Sequence, residues 1–126
     1  MKTLYLATAI SALPIILAAC GGTGWGDPKD LIQKQAKWIN NGEYEKVFQS
    51  CTPSYRADNS AAAWEAEFEA IKARLGISKF GVKDINVREE GDVAYVSATT
   101  TADGEELTSS TNRCVKIDGV WYDDEC

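Results

Sequence analysis

The sequence contains no histidine. Ser-His-Asp catalysis, Cys-His catalysis and His-ligated metal sites all need an imidazole, so these kinds of site are excluded. Basic residues are also few: 13 Lys and Arg stand against 19 Asp and Glu, which gives a formal net charge of −6. Because nucleic-acid affinity depends on Lys and Arg that neutralise phosphates, we expect no nucleic-acid partner.

The apolar run over residues 4–19 is too short for a membrane span. It contains Pro14, and a spanning helix needs roughly twenty apolar residues. The run follows a short positive start and ends in Leu17-Ala18-Ala19-Cys20, which resembles the lipobox of bacterial lipoproteins. The resemblance implies a signal peptide over residues 1–19 and a lipid anchor on Cys20. The alternative is an ordinary signal peptide followed by a chance cysteine.

Residues 20–27 predict a lipidated cysteine followed by a glycine-rich tether, which includes Trp25. Trp25 either enters the membrane interface or packs on the surface of the domain itself. Lipoproteins retained at the inner membrane carry Asp after the lipidated cysteine, whereas Gly21 stands here. We therefore expect a cell-envelope protein, anchored to the outer membrane if the organism has one and otherwise to the outer face of the cytoplasmic membrane.

Three helices are predicted before residue 77. The first has Asp27 as its N-cap and ends at the Asn40-Asn41-Gly42 break. The second starts at Glu43 and ends at Thr52-Pro53, and residues 55–59 are predicted to be irregular. The third follows a Ser60 cap and ends at Gly76, with an apolar stripe that includes Trp64 and Phe68.

From Ile77 onward the apolar period changes from 3.6 to 2, which predicts four antiparallel strands. A phase change near Lys83-Asp84 indicates a β-bulge. Asp118-Gly119, between apolar flanks, predicts a two-residue hairpin turn before the last strand. Residues 28–126 therefore form one α+β domain in which three N-terminal helices pack on a curved four-stranded antiparallel sheet.

Two segments carry a resemblance to the NTF2-like superfamily, especially its small bacterial lipoproteins of unknown function. Residues 36–47, AKWINNGEYEKV, look like the family's first helix, its break and its second helix. Residues 115–122, VKIDGVWY, look like its closing hairpin. The resemblance implies that the helices and the curved sheet form a cone. The alternative is a cystatin-like α+β fold.

The fold alone does not define a function. Asp84 at the suspected bulge is either a catalytic base or, as we expect, a solvated turn residue. No catalytic residue, cofactor or metal site is predicted, and the acidic run at residues 123–125 is interpreted as solvated charge. We expect a non-enzymatic, membrane-anchored domain that binds another envelope component. One alternative is a carrier or sensor of a small apolar ligand in the cone, and a third hypothesis is a small isomerase or lyase. The residues expected to line the cavity of the cone are Phe48, Trp64, Phe68 and Tyr95.

Lipidation of Cys20 leaves three cysteines in an oxidising compartment, so one disulfide and one free thiol are expected. In the predicted hairpin Cys114 faces Asp123, and Cys126 lies three residues farther along, so a Cys114–Cys126 bond needs a distorted last strand.

The choice between the other two pairings depends on which face of the last hairpin is buried. The apolar face is predicted to be inward and to include Cys126; its other members are Val115, Ile117, Val120 and Tyr122. Cys51 lies on the inward stripe of the second helix. A Cys51–Cys126 disulfide is therefore favoured over Cys51–Cys114.

Overall fold

The computed structural model of the chain describes residues 24–126. The predicted signal peptide, Cys20 and the start of the tether lie outside the described residues. Within them, helices come first and strands follow. The helices are α1 (Pro28–Asn40), α2 (Tyr44–Gln49), α3 (Pro53–Asp58) and α4 (Ala61–Leu75), and the strands are β1 (Phe80–Glu90), β2 (Val93–Ala102), β3 (Glu105–Ile117) and β4 (Val120–Asp123).

The predicted ends of α1 and α4 are confirmed because local capping groups define them, whereas α2 ends at Gln49 and not at Thr52-Pro53 as predicted. The Asp27 carboxylate accepts the Asp30 N–H at 2.8 Å at the start of α1. The Ser60 hydroxyl accepts the Ala63 N–H at 3.1 Å at the start of α4. Gly76 ends α4 with φ +68°, a left-handed conformation that glycine adopts without a steric cost.

The short helix α3 corrects the prediction of an irregular segment at residues 55–59. Thr52 is its N-cap and accepts the Tyr55 N–H, and Pro53 occupies the first helical turn. Pro fits that position because its missing N–H has no intrahelical partner there. Thr52-Pro53 therefore begins α3, whereas α2 already ends at Gln49.

The strands form a single antiparallel sheet in the order β1-β2-β3-β4. The predicted bulge is confirmed: the β1–β2 register shifts between Lys83 and Asn86, and Asp84 has φ +54°. The predicted hairpin is also confirmed, with Ile117 paired to Val120 across Asp118-Gly119. The α+β architecture of N-terminal helices on a four-stranded sheet is thus as predicted. The sheet is neither closed nor strongly curled, so the structure does not show the cone that the family resemblance implies.

The buried face of the last hairpin is the opposite of the predicted one. Cys114 is fully buried and Trp121 is 7% exposed, whereas Ile117 is 38% exposed. The reason is the β2–β3 register, which places Cys114 opposite the buried Ala94. Ala94, Cys114 and Trp121 belong to one core cluster between the sheet and α1. Its other members are Leu31 and Ile32 of α1 and Val96 of β2.

The described part of the tether packs against the domain. The Trp25 and Trp38 rings meet edge to face with centroids 5.6 Å apart, and the Lys34 ammonium donates to the Trp25 carbonyl at 3.1 Å. Of the two alternatives for Trp25, the structure therefore shows packing on the domain's own surface. In residues 24–126, no helix is long and apolar enough to cross a membrane.

Candidate functional site

The long helix α4 is attached to the domain by aromatic rings, and none of its residues is buried. Phe68 is at the centre of these contacts: its ring centroid lies 5.2 Å from that of Trp64, 6.0 Å from that of Tyr44 and 5.2 Å from that of Phe80. Tyr44 belongs to α2 and Phe80 to β1. The rings hold α4 beside the rest of the domain and leave a groove between α4, α1 and the sheet.

Two adjoining cavities lie in this groove. The first, the sheet cavity, has a volume of about 230 Å³. The second, the tail cavity, has a volume of about 320 Å³ and reaches the C-terminal residues. Gln35, Ile39 and Phe68 line both cavities. The two cavities therefore meet at α1 and at the centre of α4.

The walls of the two cavities differ in charge. The sheet cavity is mainly apolar and has no charged wall; its larger apolar residues are Ile32, Ile39, Phe68, Phe80, Val82 and Val96. The tail cavity combines apolar residues with the carboxyl-bearing residues Glu67, Asp123 and Glu125. Among the residues that the structure describes, no Lys or Arg lines either cavity.

Asp123 is the most deeply buried acidic residue of the groove, with 5% of its surface exposed. The Gln35 amide donates to its Oδ2 at 3.1 Å, and the Glu125 N–H donates to its Oδ1 at 2.8 Å. The Gln35 amide also donates to the Ser50 hydroxyl at 3.1 Å. These contacts join α1, the end of α2 and the end of β4 in one polar cluster.

Burial raises the pKa of Asp123 above the ordinary value of a carboxyl group. The hydrogen bonds from Glu125 and Gln35 favour the charged form and oppose this shift, while the neighbouring charges of Glu125 and Asp124 add to it. Within the described part of the chain, no Lys or Arg forms an ion pair with Asp123. Asp123 is therefore a buried acid that lacks a cationic partner.

Asp123 is buried, although the acidic run at residues 123–125 was predicted to be solvated charge. The signal was nevertheless present, since the predicted hairpin register already placed Asp123 opposite Cys114. The observed register has the same pair. Once Cys114 is known to face inward, Asp123 must face inward as well, because directly opposed residues share a face of the sheet.

A second polar cluster fastens α4 to α2. The Tyr44 hydroxyl donates to the Glu69 carboxylate, and the Lys72 ammonium lies 3.4 Å from both groups. Burial raises the pKa of the Tyr44 hydroxyl, and its hydrogen bond to Glu69 adds to the shift. The same hydrogen bond lowers the pKa of Glu69. This cluster holds the helix that covers the groove.

The four residues predicted to line a cavity occupy three different places. Phe68 lines both cavities and Trp64 lines the tail cavity. Phe48 is buried beneath Tyr55, with ring centroids 6.2 Å apart. Tyr95 lies on the sheet face that points away from the helices, where the Arg88 guanidinium is 4.6 Å from its ring centroid. The structure thus brings Trp64 and Phe68 together and places the other two elsewhere.

The disulfide joins Cys51 and Cys126, as predicted, with Cα atoms 5.9 Å apart. The geometry that allows it is different from the predicted one. Strand β4 ends at Asp123, so Cys126 no longer follows the alternation of the strand. Instead, Asp123 forms backbone hydrogen bonds to Ser50 and Thr52, which bring the C-terminal residues to the end of α2.

Cys114 is the free cysteine of the described chain and is buried. Burial, together with the nearby acidic residues, raises the pKa of its thiol to about 12. A thiol in this state is an inert member of the core, because the thiolate is the reactive form. In the part of the chain that is described, no group of three or more acidic or cysteine side chains has a metal-binding arrangement.

No known protein family matches the chain, and no curated protein sequence is similar to it.

Proposed function

We propose that the protein is a non-enzymatic binding domain that holds a small, largely apolar ligand in the groove between α4, α1 and the sheet. One observation carries the proposal: the groove contains two adjoining cavities of about 230 and 320 Å³ that the side chains leave unfilled. Ligand sites are typically clefts of roughly 300–1,000 Å³ with mainly apolar walls and a few polar groups. Gln35 and Asp123 supply polar groups of this kind.

The proposal includes the location and the family expected from the sequence. A lipid anchor on Cys20 and a short tether would keep the groove beside the membrane surface, where apolar ligands are abundant. The order of the helices and strands supports an NTF2-like domain, in which the groove of α1, α4 and the sheet corresponds to the interior of the cone. These statements rest on the sequence resemblances.

Two features support a binding function over catalysis. Asp84, the candidate base, is exposed at the bulge of β1, at the opposite edge of the sheet from β4, and it does not line the tail cavity. Asp123, the buried acid, has both carboxylate oxygens engaged by hydrogen-bond donors of the protein. Such an arrangement fixes the carboxylate in one orientation, which suits ligand recognition.

A second candidate function is the docking of another envelope component, and the free edge of β3 favours it. Strand β4 pairs only with residues 114–117 of β3. Residues 105–112 of β3 therefore present an edge that no strand of the described chain covers, and Thr108 to Asn112 carry no charge. An extended peptide can add to such an edge through backbone hydrogen bonds.

The ligand-binding proposal is tested with the neutral fluorescent probe N-phenyl-1-naphthylamine and two matched variants. Ala36 lines the sheet cavity, whereas Ala66 is exposed on α4. We expect saturable binding to the wild type and to Ala66→Leu. Ala36→Leu should bind about tenfold more weakly, the loss expected if the probe forgoes burial of roughly two methylene groups. No saturable binding, or equal affinity for all three proteins, would contradict the proposal.

A further inference from the structure

We infer that the groove selects cationic amphiphiles, with the ammonium end of the ligand at Asp123 and its apolar tail in the sheet cavity. The inference rests on the proposed function and adds the chemical class of the ligand.

The residues that line the tail cavity carry charge of one sign. Its walls contain three acidic residues: Glu67 from α4, and Asp123 and Glu125 from the C-terminal segment. One Glu125 carboxylate oxygen accepts the backbone N–H of Arg113 at 2.8 Å. The three acidic residues come from two separate elements. Because no Lys or Arg of the described chain lines the cavity, the local field attracts cations and repels anions.

Asp123 is buried and has spare capacity to accept hydrogen bonds. The residue is 5% exposed, and each carboxylate oxygen accepts a single hydrogen bond: Oδ2 from the Gln35 amide and Oδ1 from the Glu125 N–H. An ionised carboxylate offers about four acceptor positions, so acceptor capacity is left over. A buried charge is costly unless it is paired, and a ligand ammonium in the tail cavity supplies the missing counter-charge.

The tail cavity also has an aromatic wall, which α4 supplies. Trp64 and Phe68 both line the tail cavity, and their rings stack with an interplanar angle of 16°. The face of an aromatic ring attracts a cation, and Trp does so best. The wall therefore suits an ammonium group with its attached methylene or methyl groups better than it suits an anion.

The adjoining sheet cavity suits the tail of the same ligand. It meets the tail cavity at Ile39 and Phe68 and has no charged wall. A ligand that spans both cavities would place its charged end beside Asp123 and its apolar end against β1 and β2. A fatty acid of the same length would bring a carboxylate beside three others.

The test compares three ligands that have the same octyl tail and differ in the charge of the head. Octylammonium, octanol and octanoate are titrated into the purified protein by calorimetry at pH 7 in detergent-free buffer. We expect octylammonium to bind at least about tenfold more tightly than octanol, as for a charge-assisted hydrogen bond. Octanoate should bind most weakly.

Charge variants assign the preference to the cavity. Asp123→Asn should abolish the preference for octylammonium over octanol. Asp84→Asn is the matched control: it changes the net charge equally at an exposed residue outside both cavities, and it should keep the full preference. Glu67→Gln, at an exposed residue of α4, should reduce the preference without a risk to folding, and it decides the matter if Asp123→Asn fails to fold.

The outcomes separate this inference from the proposed function. If octanol or octanoate binds as tightly as octylammonium, or if both cavity variants keep the preference, the cationic selectivity is refuted while apolar ligand binding stands. If none of the three ligands binds, both the inference and the proposed function are contradicted.

Discussion

The side-chain amide of Gln35 donates a hydrogen bond of 3.1 Å to the carboxylate of Asp123. The contact joins the first helix of the described chain to the end of its last strand, across 88 residues of sequence. Both residues also line the tail cavity. The same pair therefore contributes to the stability of the fold and to the shape of the groove.

Removal of the amide should destabilise the protein. In Gln35→Leu the buried Asp123 oxygen and the Ser50 hydroxyl both lose a donor, and an unsatisfied buried polar group costs about 1–3 kcal/mol. We expect the free energy of unfolding in urea to fall by that amount. Gln33→Leu, at an exposed position of the same helix, is the control and should change stability far less. Equal effects of the two variants would mean that the Gln35–Asp123 bond contributes nothing.

The raised pKa of Asp123 predicts a specific pH dependence. A carboxyl group whose pKa is higher in the folded than in the unfolded state binds a proton on folding, between the two pKa values. Its contribution to the free energy of unfolding therefore falls as the pH rises through that window. Lowering the pH from neutral should stabilise the wild type relative to Asp123→Asn, because the asparagine side chain of the variant does not titrate.

The measurement for this pH dependence is urea unfolding of both proteins at several pH values between 7 and about 4, near the ordinary carboxyl range. Subtracting the free energy of unfolding of the variant from that of the wild type removes the contributions of the other acids. Glu69, whose pKa is lowered, is one of them. A difference that stays constant over this range would contradict a raised pKa at Asp123.

Reduction of the Cys51–Cys126 disulfide should cost about 4 kcal/mol, the chain-entropy value for a loop closed by cysteines 75 residues apart. Urea unfolding with and without a reductant measures the loss. The double variant Cys51→Ser, Cys126→Ser should be insensitive to the reductant. An equal response of the wild type and the double variant would show that the bond is absent.

The thiol of Cys114 should resist alkylation as long as the protein is folded. The side chain is fully buried and its pKa is raised to about 12, so access and thiolate formation both oppose the reaction. Peptide mapping after iodoacetamide treatment should find Cys114 unmodified in the native protein and modified in urea. Rapid modification without denaturant would contradict the burial.

The lipid anchor remains a prediction of the sequence. Cells that express the protein and receive an alkyne fatty acid should label the wild type through Cys20 and should not label Cys20→Ala. Labelling of both proteins, or of neither, would refute the anchor.

The helix ends and hairpin turns could be predicted because they depend on local chemistry. The Asp27 and Ser60 caps and the Gly76 terminus each involve groups within a few residues of one another. The Asp118-Gly119 turn likewise determines its own register. The helix α3 was missed although its signal, Thr52-Pro53, is equally local, because the pair was interpreted only as the end of α2.

The inward face of the last hairpin could not be predicted from the number of apolar residues on each face. Counting favoured the face with Val115 and Ile117. The actual choice is made by tertiary packing: β2 pairs Ala94 with Cys114 beneath α1, and one large ring, that of Trp121, completes the core. A single Trp buries more surface than a small aliphatic side chain.

The disulfide was predicted correctly, but the predicted reason for it was wrong. Alternation along the strand was extended to Cys126, although β4 ends three residues earlier, at Asp123. The hydrogen bonds of Asp123 to Ser50 and Thr52 bring the two cysteines together. The groove could not be predicted from local sequence patterns either, because its walls come from α1, α4, the sheet and the C-terminal residues.

The most direct test of the central claim, that the groove holds a small ligand, is native mass spectrometry of the protein purified from its host. The wild type and Ala66→Leu should carry an additional small-molecule mass that denaturation releases. Ala36→Leu, which fills the sheet cavity, should carry much less of it. A wild-type protein that shows only the mass of its own chain and lipid, or a bound mass that Ala36→Leu leaves unchanged, would contradict the account.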